Sequence, residues 1–231
     1  MKSSEDWAAN GPGGEIQPTG FAVSHQPEPS AGWLEILADG LTFDLVGLTP
    51  APGAPLPEMA HWYGFREEPR TERAEALTLV PGENLHGAEN LLPVMRAMTA
   101  MATRLVALDH VKAVVWHPAR SAMAPAAFTT AIGNWLKGGA FPALALTALF
   151  ADGDGAMRTE GLAFFIGQEL LIEPFPGISM AQNAKIAARL INLLVGNITI
   201  TNRFDFTGPN GEYFSVEPSD NDRFLRVWRK S

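Results

Sequence analysis

Six polar residues stand where this sequence could do chemistry. His117, Arg120 and Ser121 share the run Trp116-His117-Pro118-Ala119-Arg120-Ser121, and Thr159, Glu160 and Glu169 bracket the apolar run Leu162-Ala163-Phe164-Phe165-Ile166. An imidazole, a guanidinium and a hydroxyl where a parallel strand should end and a helix begin could bind an anion or work as acid and base. Carboxylates beside an apolar strand need partners or a purpose, because an unpaired buried charge is costly. The same residues have plainer readings. Trp116 suits a core, Arg120 a surface and Ser121 a local turn, while a glutamate on an alternating strand faces solvent or pairs with an arginine such as Arg158, Arg189 or Arg203. The plainer readings lead. The candidates for chemistry are then His117, Arg120 and Glu169 as catalytic groups, with Ser121, Thr159 and Glu160 as ligand-binding groups.

Other signals are weaker. Asp152-Gly153-Asp154-Gly155 suggests calcium, but an EF-hand loop begun at Asp152 needs oxygen donors where Ala156 and Ala163 stand. A hairpin turn explains it better. His61 and His86 carry no zinc spacing, and there is no nucleophile elbow, phosphate loop or dinucleotide fingerprint. Met95, Met98 and Met101 could form an adaptable groove, although neighbouring alanines favour close packing on a sheet. His61-Trp62-Tyr63-Gly64-Phe65 lies in a long irregular connection, where exposed aromatics anchor partners. His61, Trp62, Tyr63 and Phe65 are therefore the partner-binding candidates.

Composition narrows the class. Of 231 residues, 46% are hydrophobic and 18% charged, which supports a sizeable core. A formal net charge of −8 argues against nucleic acid or an anionic membrane as partner. With no cysteine, disulfides, thiolate catalysis and cysteine metal sites are excluded. The opening residues develop no apolar stretch and no run approaches the ~18 residues of a membrane helix, so a soluble, cytoplasmic chain is expected. No cofactor or metal is expected.

The elements that must position these residues follow from periodicity. Residues 1–31, rich in Gly, Pro, Ser and Glu, read as a flexible tail, and 32–231 as a single domain. Stretches 33–37 and 41–48 alternate around Asp39-Gly40 as a hairpin, and 76–80 is a short strand. A first helix starts near Leu91, with Leu91, Met95, Met98, Ala102 and Leu105 on its buried stripe and Pro93 in its opening turn. A second spans 125–137, burying Phe128, Ile132 and Leu136 before Gly138-Gly139. A third opens on the capping box Ser179-Met180-Ala181-Gln182, buries Ala184, Ala187, Ile191 and Leu194, and stops at Gly196. Strands are expected at 111–116, 144–150, 157–166, 170–173, 203–207, 212–216 and 224–229. This order means α+β, with a mixed, largely antiparallel sheet and three main helices packed on it. Strands 111–116, 144–150 and 157–166 are expected to share that sheet, with the first two helices against it.

Several segments in order resemble a bacterial domain family of unknown function. They are the strand ending near Val80, the helix from Leu91, Ala113-Val114-Val115-Trp116-His117-Pro118, Phe128, Phe141-Pro142, and Thr159-x-Gly161-Leu162-x-x-Phe165-x-Gly167-x-Glu169-Leu170-x-Ile172. The resemblance covers roughly 74–200, and its last motif is the specific one. This chain departs in having Phe165-Ile166 before Gly167, where the pattern is shorter. The resemblance implies an α+β domain and brings no established activity or catalytic residue. Together the signals point to a non-enzymatic, cytoplasmic binding or accessory protein acting on another bacterial protein. The alternative is a hydrolase-like small-molecule enzyme, and it requires His117, Arg120, Thr159 and Glu169 to converge on one pocket.

Overall fold

Alternation of apolar and polar side chains builds the first sheet. Strands β1 (Ala22–His25), β2 (Trp33–Ala38), β3 (Leu41–Val46) and β5 (Thr78–Pro81) pair antiparallel in the order β1-β2-β3-β5. Leu34, Ile36, Phe43 and Leu45 point to one face and are buried. Asp39 and Gly40, both at positive φ, make the two-residue turn that joins β2 to β3. Helix α1 (Leu92–Leu105) packs on β3 and β5 and buries Val94, Met95, Met98 and Met101, so its methionines serve close packing. Leu91, expected on the stripe, is instead the exposed residue preceding the helix.

This computed structural model describes residues 20–69, 71, 74–153, 155–175, 177–196 and 199–230. The chain divides into two compact units, Met1–Pro57 with Glu67–Lys112, and Glu58–Arg66 with Ala113–Ser231. One domain over 32–231 was the expectation. Part of the expected tail is a strand: β1 falls within it and pairs with β2, its Ala22 opposite Leu37 and its Val23 opposite Ile36. Composition hid β1 because the strand is four residues long and mostly exposed. Residues 1–19 lie outside the described residues.

The second unit holds two sheets. Strands β8 (Ala148–Ala151), β9 (Met157–Glu160), β10 (Glu169–Ile172), β11 (Phe204–Thr207), β12 (Tyr213–Pro218) and β13 (Phe224–Arg229) are ordered β11-β12-β13-β10-β9-β8. All neighbours run antiparallel except β10 and β13. A three-stranded sheet, β4-β7-β6, combines β4 (His61–Tyr63), β6 (Val114–Trp116) and β7 (Ser121–Met123), with β4 parallel and β6 antiparallel to β7. The fold is α+β with largely antiparallel sheets, but there are three sheets among the described residues, and 111–116 does not share one with β8 and β9. Among the described residues no helix is long and apolar enough to cross a membrane.

Two expected strands are shortened by helical turns. In 144–150, α3 (Ala143–Leu146) follows Pro142 and gives way to β8 only after Thr147. In 157–166, β9 ends at Glu160, and α4 (Ala163–Ile166) replaces the rest. Gly161 at φ +89° breaks the strand, and Gly167 at φ +79° ends the helical turn in the left-handed conformation. An apolar run of that length reads equally as strand or buried helix, and the two flanking glycines decide.

The two longer helices follow their sequence signals. Helix α2 (Pro125–Leu136) buries Phe128, Ile132 and Trp135, with Trp135 taking the place expected of Leu136. The Trp135 ring meets Phe141 edge-on at 5.6 Å, and Phe141 meets Phe165 at 5.1 Å. Helix α5 (Met180–Leu194) opens on the expected capping box, with the Gln182 amide donating to Ser179 Oγ at 3.3 Å and the Ser179 amide donating to Gln182 Oε1 at 2.9 Å. It buries Asn183, Ile186, Ala187, Leu190, Ile191 and Leu194 and packs on β10 and α3.

Candidate functional site

Strand β9 sorts the candidate residues, because adjacent side chains leave a strand on opposite faces. Thr159 points inward and is buried, and its neighbour Glu160 is half-buried on the other face. Two separate polar clusters result.

The inward cluster is a cap. The Glu169 carboxylate accepts hydrogen bonds from the Gly161 amide at 2.8 Å, the Ala163 amide at 3.0 Å and the Leu162 amide at 3.2 Å. It also accepts the Thr159 hydroxyl at 2.6 Å, and that hydroxyl oxygen accepts the Leu170 amide at 2.7 Å. These amides open the turn of α4, where no intrahelical acceptor exists for them. Glu169 thus satisfies the backbone that Gly161 frees from the strand, and Thr159 ties the cap to β10.

The outward cluster is an ion-pair network. Arg120 donates from Nε to Glu160 Oε1 at 2.5 Å and from Nη2 to Glu160 Oε2 at 3.2 Å, a two-pronged grip. Its Nη1 reaches Glu58 Oε1 at 2.7 Å. His61 Nε2 lies 2.9 Å from Glu160 Oε2, and its ring stacks on Phe150 at 4.9 Å. Arg120 can reach this position because His117–Ala119 forms a single 3-10 turn ended by Arg120 itself at φ +44°. That turn reverses the chain into β7, antiparallel to β6. The expected parallel strand followed by a helix, and the ligand crevice that goes with it, is therefore not built here.

The electrostatics follow from these contacts. Hydrogen bonding to Arg120 holds the Glu160 carboxyl below its ordinary range, with burial opposing and His61 adding to the effect. Glu160 and Glu58 push the Arg120 guanidinium further upward. Burial raises the Tyr63 hydroxyl, and the Glu160 charge adds to the rise, while the hydrogen bond to Leu149 opposes it. Tyr63 Oη donates to the Leu149 carbonyl at 3.1 Å and accepts the Leu149 amide at 2.9 Å, which satisfies the outer edge of β8.

No family model, curated protein or solved structure matches the chain. The motif behind the resemblance is accounted for by the fold. Thr159 and Glu169 form the cap, Gly161 and Gly167 bound the helical turn, and Leu162, Phe165, Leu170 and Ile172 are buried.

The four residues of the enzyme alternative do not converge. Thr159 and Glu169 meet each other, Arg120 meets Glu160, and His117 stands exposed on its turn with no hydrogen bond to the other three. Ser121 is buried in β7 opposite His61. The partner candidates divide as well. His61 and Tyr63 are committed to Glu160 and Leu149, whereas Trp62, on the alternate face of β4, packs edge-on against Phe65 at 5.7 Å. Both of these rings are half-buried. Glu58 went unnoticed in the sequence because it precedes Arg120 by 62 residues, and no local pattern links the two.

The Glu160 network predicts a pH response in β4. A lowered carboxyl value means that its contribution is complete above the ordinary glutamate value of ~4.3 and drains away as pH falls through the lower folded value. With fluorine-labelled tryptophan, the Trp62 resonance should show a movement below that ordinary value that depends on Glu160. In Glu160→Gln it should sit at a shifted position throughout. A Trp62 resonance indifferent to the substitution would show that the network does not hold β4.

Proposed function

We propose that this chain is a non-enzymatic, cytoplasmic binding or accessory protein, of the bacterial kind its motif resembles, that acts on another protein through the face carrying Trp62 and Phe65. One observation carries the reading: most of the groups suited to chemistry are already used by the fold, with His117 left exposed on its turn. Glu169 and Thr159 cap α4, and Arg120, Glu160 and His61 saturate one another. Beside that network stand the half-buried rings of Trp62, in β4, and Phe65, two residues beyond it, with exposed Glu58 and Arg66 before and after them in the chain. Paired aromatics rimmed by charge are the composition of a binding hot spot. The acidic surface fits a protein partner better than a polyanion.

A photo-crosslinking side chain placed at Phe65 tests this in cells. The expected product is a discrete heterocomplex that Trp62→Ala reduces at least ~tenfold, the loss of one hot-spot anchor. The thermal midpoint of that variant should change little compared with this loss. Absence of any discrete adduct, or an adduct insensitive to Trp62, contradicts the reading.

A further inference from the structure

A second feature lies away from β4. Gly155 and Met157, then Pro174, Phe175 and Ile178, and the first turn of α5 line a cavity of about 210 Å³. Its floor is buried: Met157, Phe175 and Asn183 are 5%, 7% and 7% exposed. Its mouth opens to the surface, with Pro174 and Met180 exposed and Ile178 half-buried. Among the described residues that line it, none carries a charged side chain.

Asn183 makes this cavity unusual. Its Oδ1 is buried with no hydrogen-bond partner among the described residues, while its backbone amide donates to the Ser179 carbonyl in the helix. Helix α5 otherwise buries aliphatic residues on this face, and a leucine at position 183 would continue the stripe. A buried acceptor without a donor costs on the order of 1–3 kcal/mol. Such a group is stabilised when something in the cavity donates to it. A dry apolar cavity of ~150 Å³ accepts benzene, so this space suits a ring with one small substituent.

We propose that the cavity binds a compact, uncharged, ring-sized molecule bearing one O–H or N–H donor, which pairs with Asn183 Oδ1 while its apolar body rests on Met157 and Phe175. Charged ligands are disfavoured because the described lining offers no counter-charge. Met180, unbranched and exposed at the mouth, can reposition over ligands of different outline.

Phenol and toluene serve as probes, the same shape with and without the donor. The full chain is titrated with each while the amide resonances of Met157, Phe175 and Asn183 are followed. Both should give saturable shifts in the wild type. In Asn183→Leu, phenol should weaken at least ~tenfold because its hydroxyl loses its partner, and toluene should bind as well or better. Ile178→Trp, at a half-buried position on the cavity's lining, should fill the space and abolish both. No saturable shift with either probe, meaning a site that holds water only, overturns the proposal. Phenol affinity unchanged in Asn183→Leu or retained in Ile178→Trp overturns it too.

Discussion

Glu169→Gln should lower the stability of the protein by ~1–3 kcal/mol, the cost of leaving buried donors unpaired. The reason is geometric. Each carboxylate oxygen of Glu169 accepts two donors: Oε1 takes the Gly161 and Ala163 amides, and Oε2 takes the Thr159 hydroxyl and the Leu162 amide. A glutamine places an NH2 group in one of the two oxygen positions. In the first, it opposes two backbone amides. In the second, it opposes the Leu162 amide, and Thr159 must rotate its hydroxyl away while still accepting from Leu170. Neither orientation satisfies the turn. Equilibrium urea unfolding measures the loss, and a fall of ~2–4 °C in thermal midpoint per kcal/mol should accompany it. A carboxylate held for chemistry gives the opposite result, with stability unchanged or raised on substitution.

Gly161→Ala should be more damaging still, on the order of 3 kcal/mol or more, since left-handed strain and overpacking act together. The residue sits at φ +89°, and an added Cβ would stand 2.7 Å from the Ala119 Cβ, 2.9 Å from its Cα and 3.0 Å from its amide nitrogen. Ala119 is fully buried in the turn that delivers Arg120 to Glu160, so its backbone has nowhere to retreat. Ala119→Gly should restore part of the loss by removing the nearest atom, although the backbone of residue 119 would still crowd the new methyl group. Thermal unfolding of the two single variants and the double variant gives the coupling between them. Simple additivity would mean that Gly161 and Ala119 do not meet as described.

The local signals in the sequence were sound where one segment decides its own structure. Asp39-Gly40 specified a two-residue turn because both positions favour positive φ. The Ser179–Gln182 capping box marked the start of α5, and the methionine stripe of α1 found the sheet beneath it. The reading went astray where a distant residue decides. An apolar run such as 162–166 has no strong preference of its own, and Glu169 and the two glycines tip it into a helical turn. Likewise, Arg120 and Glu160 lie 40 residues apart, and His61 and Glu160 lie 99 apart. No spacing rule spans such distances. The candidate polar residues were thus identified by type, but their grouping into a cap and a network needed the register of β9 against β10 and the return of β4 onto β7. Asn183 gave no signal, because a single amide on an otherwise apolar helix face is inconspicuous in sequence.

Amide hydrogen exchange at Gly161, Leu162 and Ala163 tests most directly whether the motif serves the fold rather than chemistry. In the wild type all three amides should exchange slowly, at the level of the neighbouring strand pair β10–β13. In Glu169→Gln they should become fast as a group, while the amides of Leu170 to Ile172 keep most of their protection. Rapid exchange of the three amides in the wild type, or protection that survives the substitution, would contradict the assignment of Glu169 as a structural cap and leave its carboxylate free to act on a ligand.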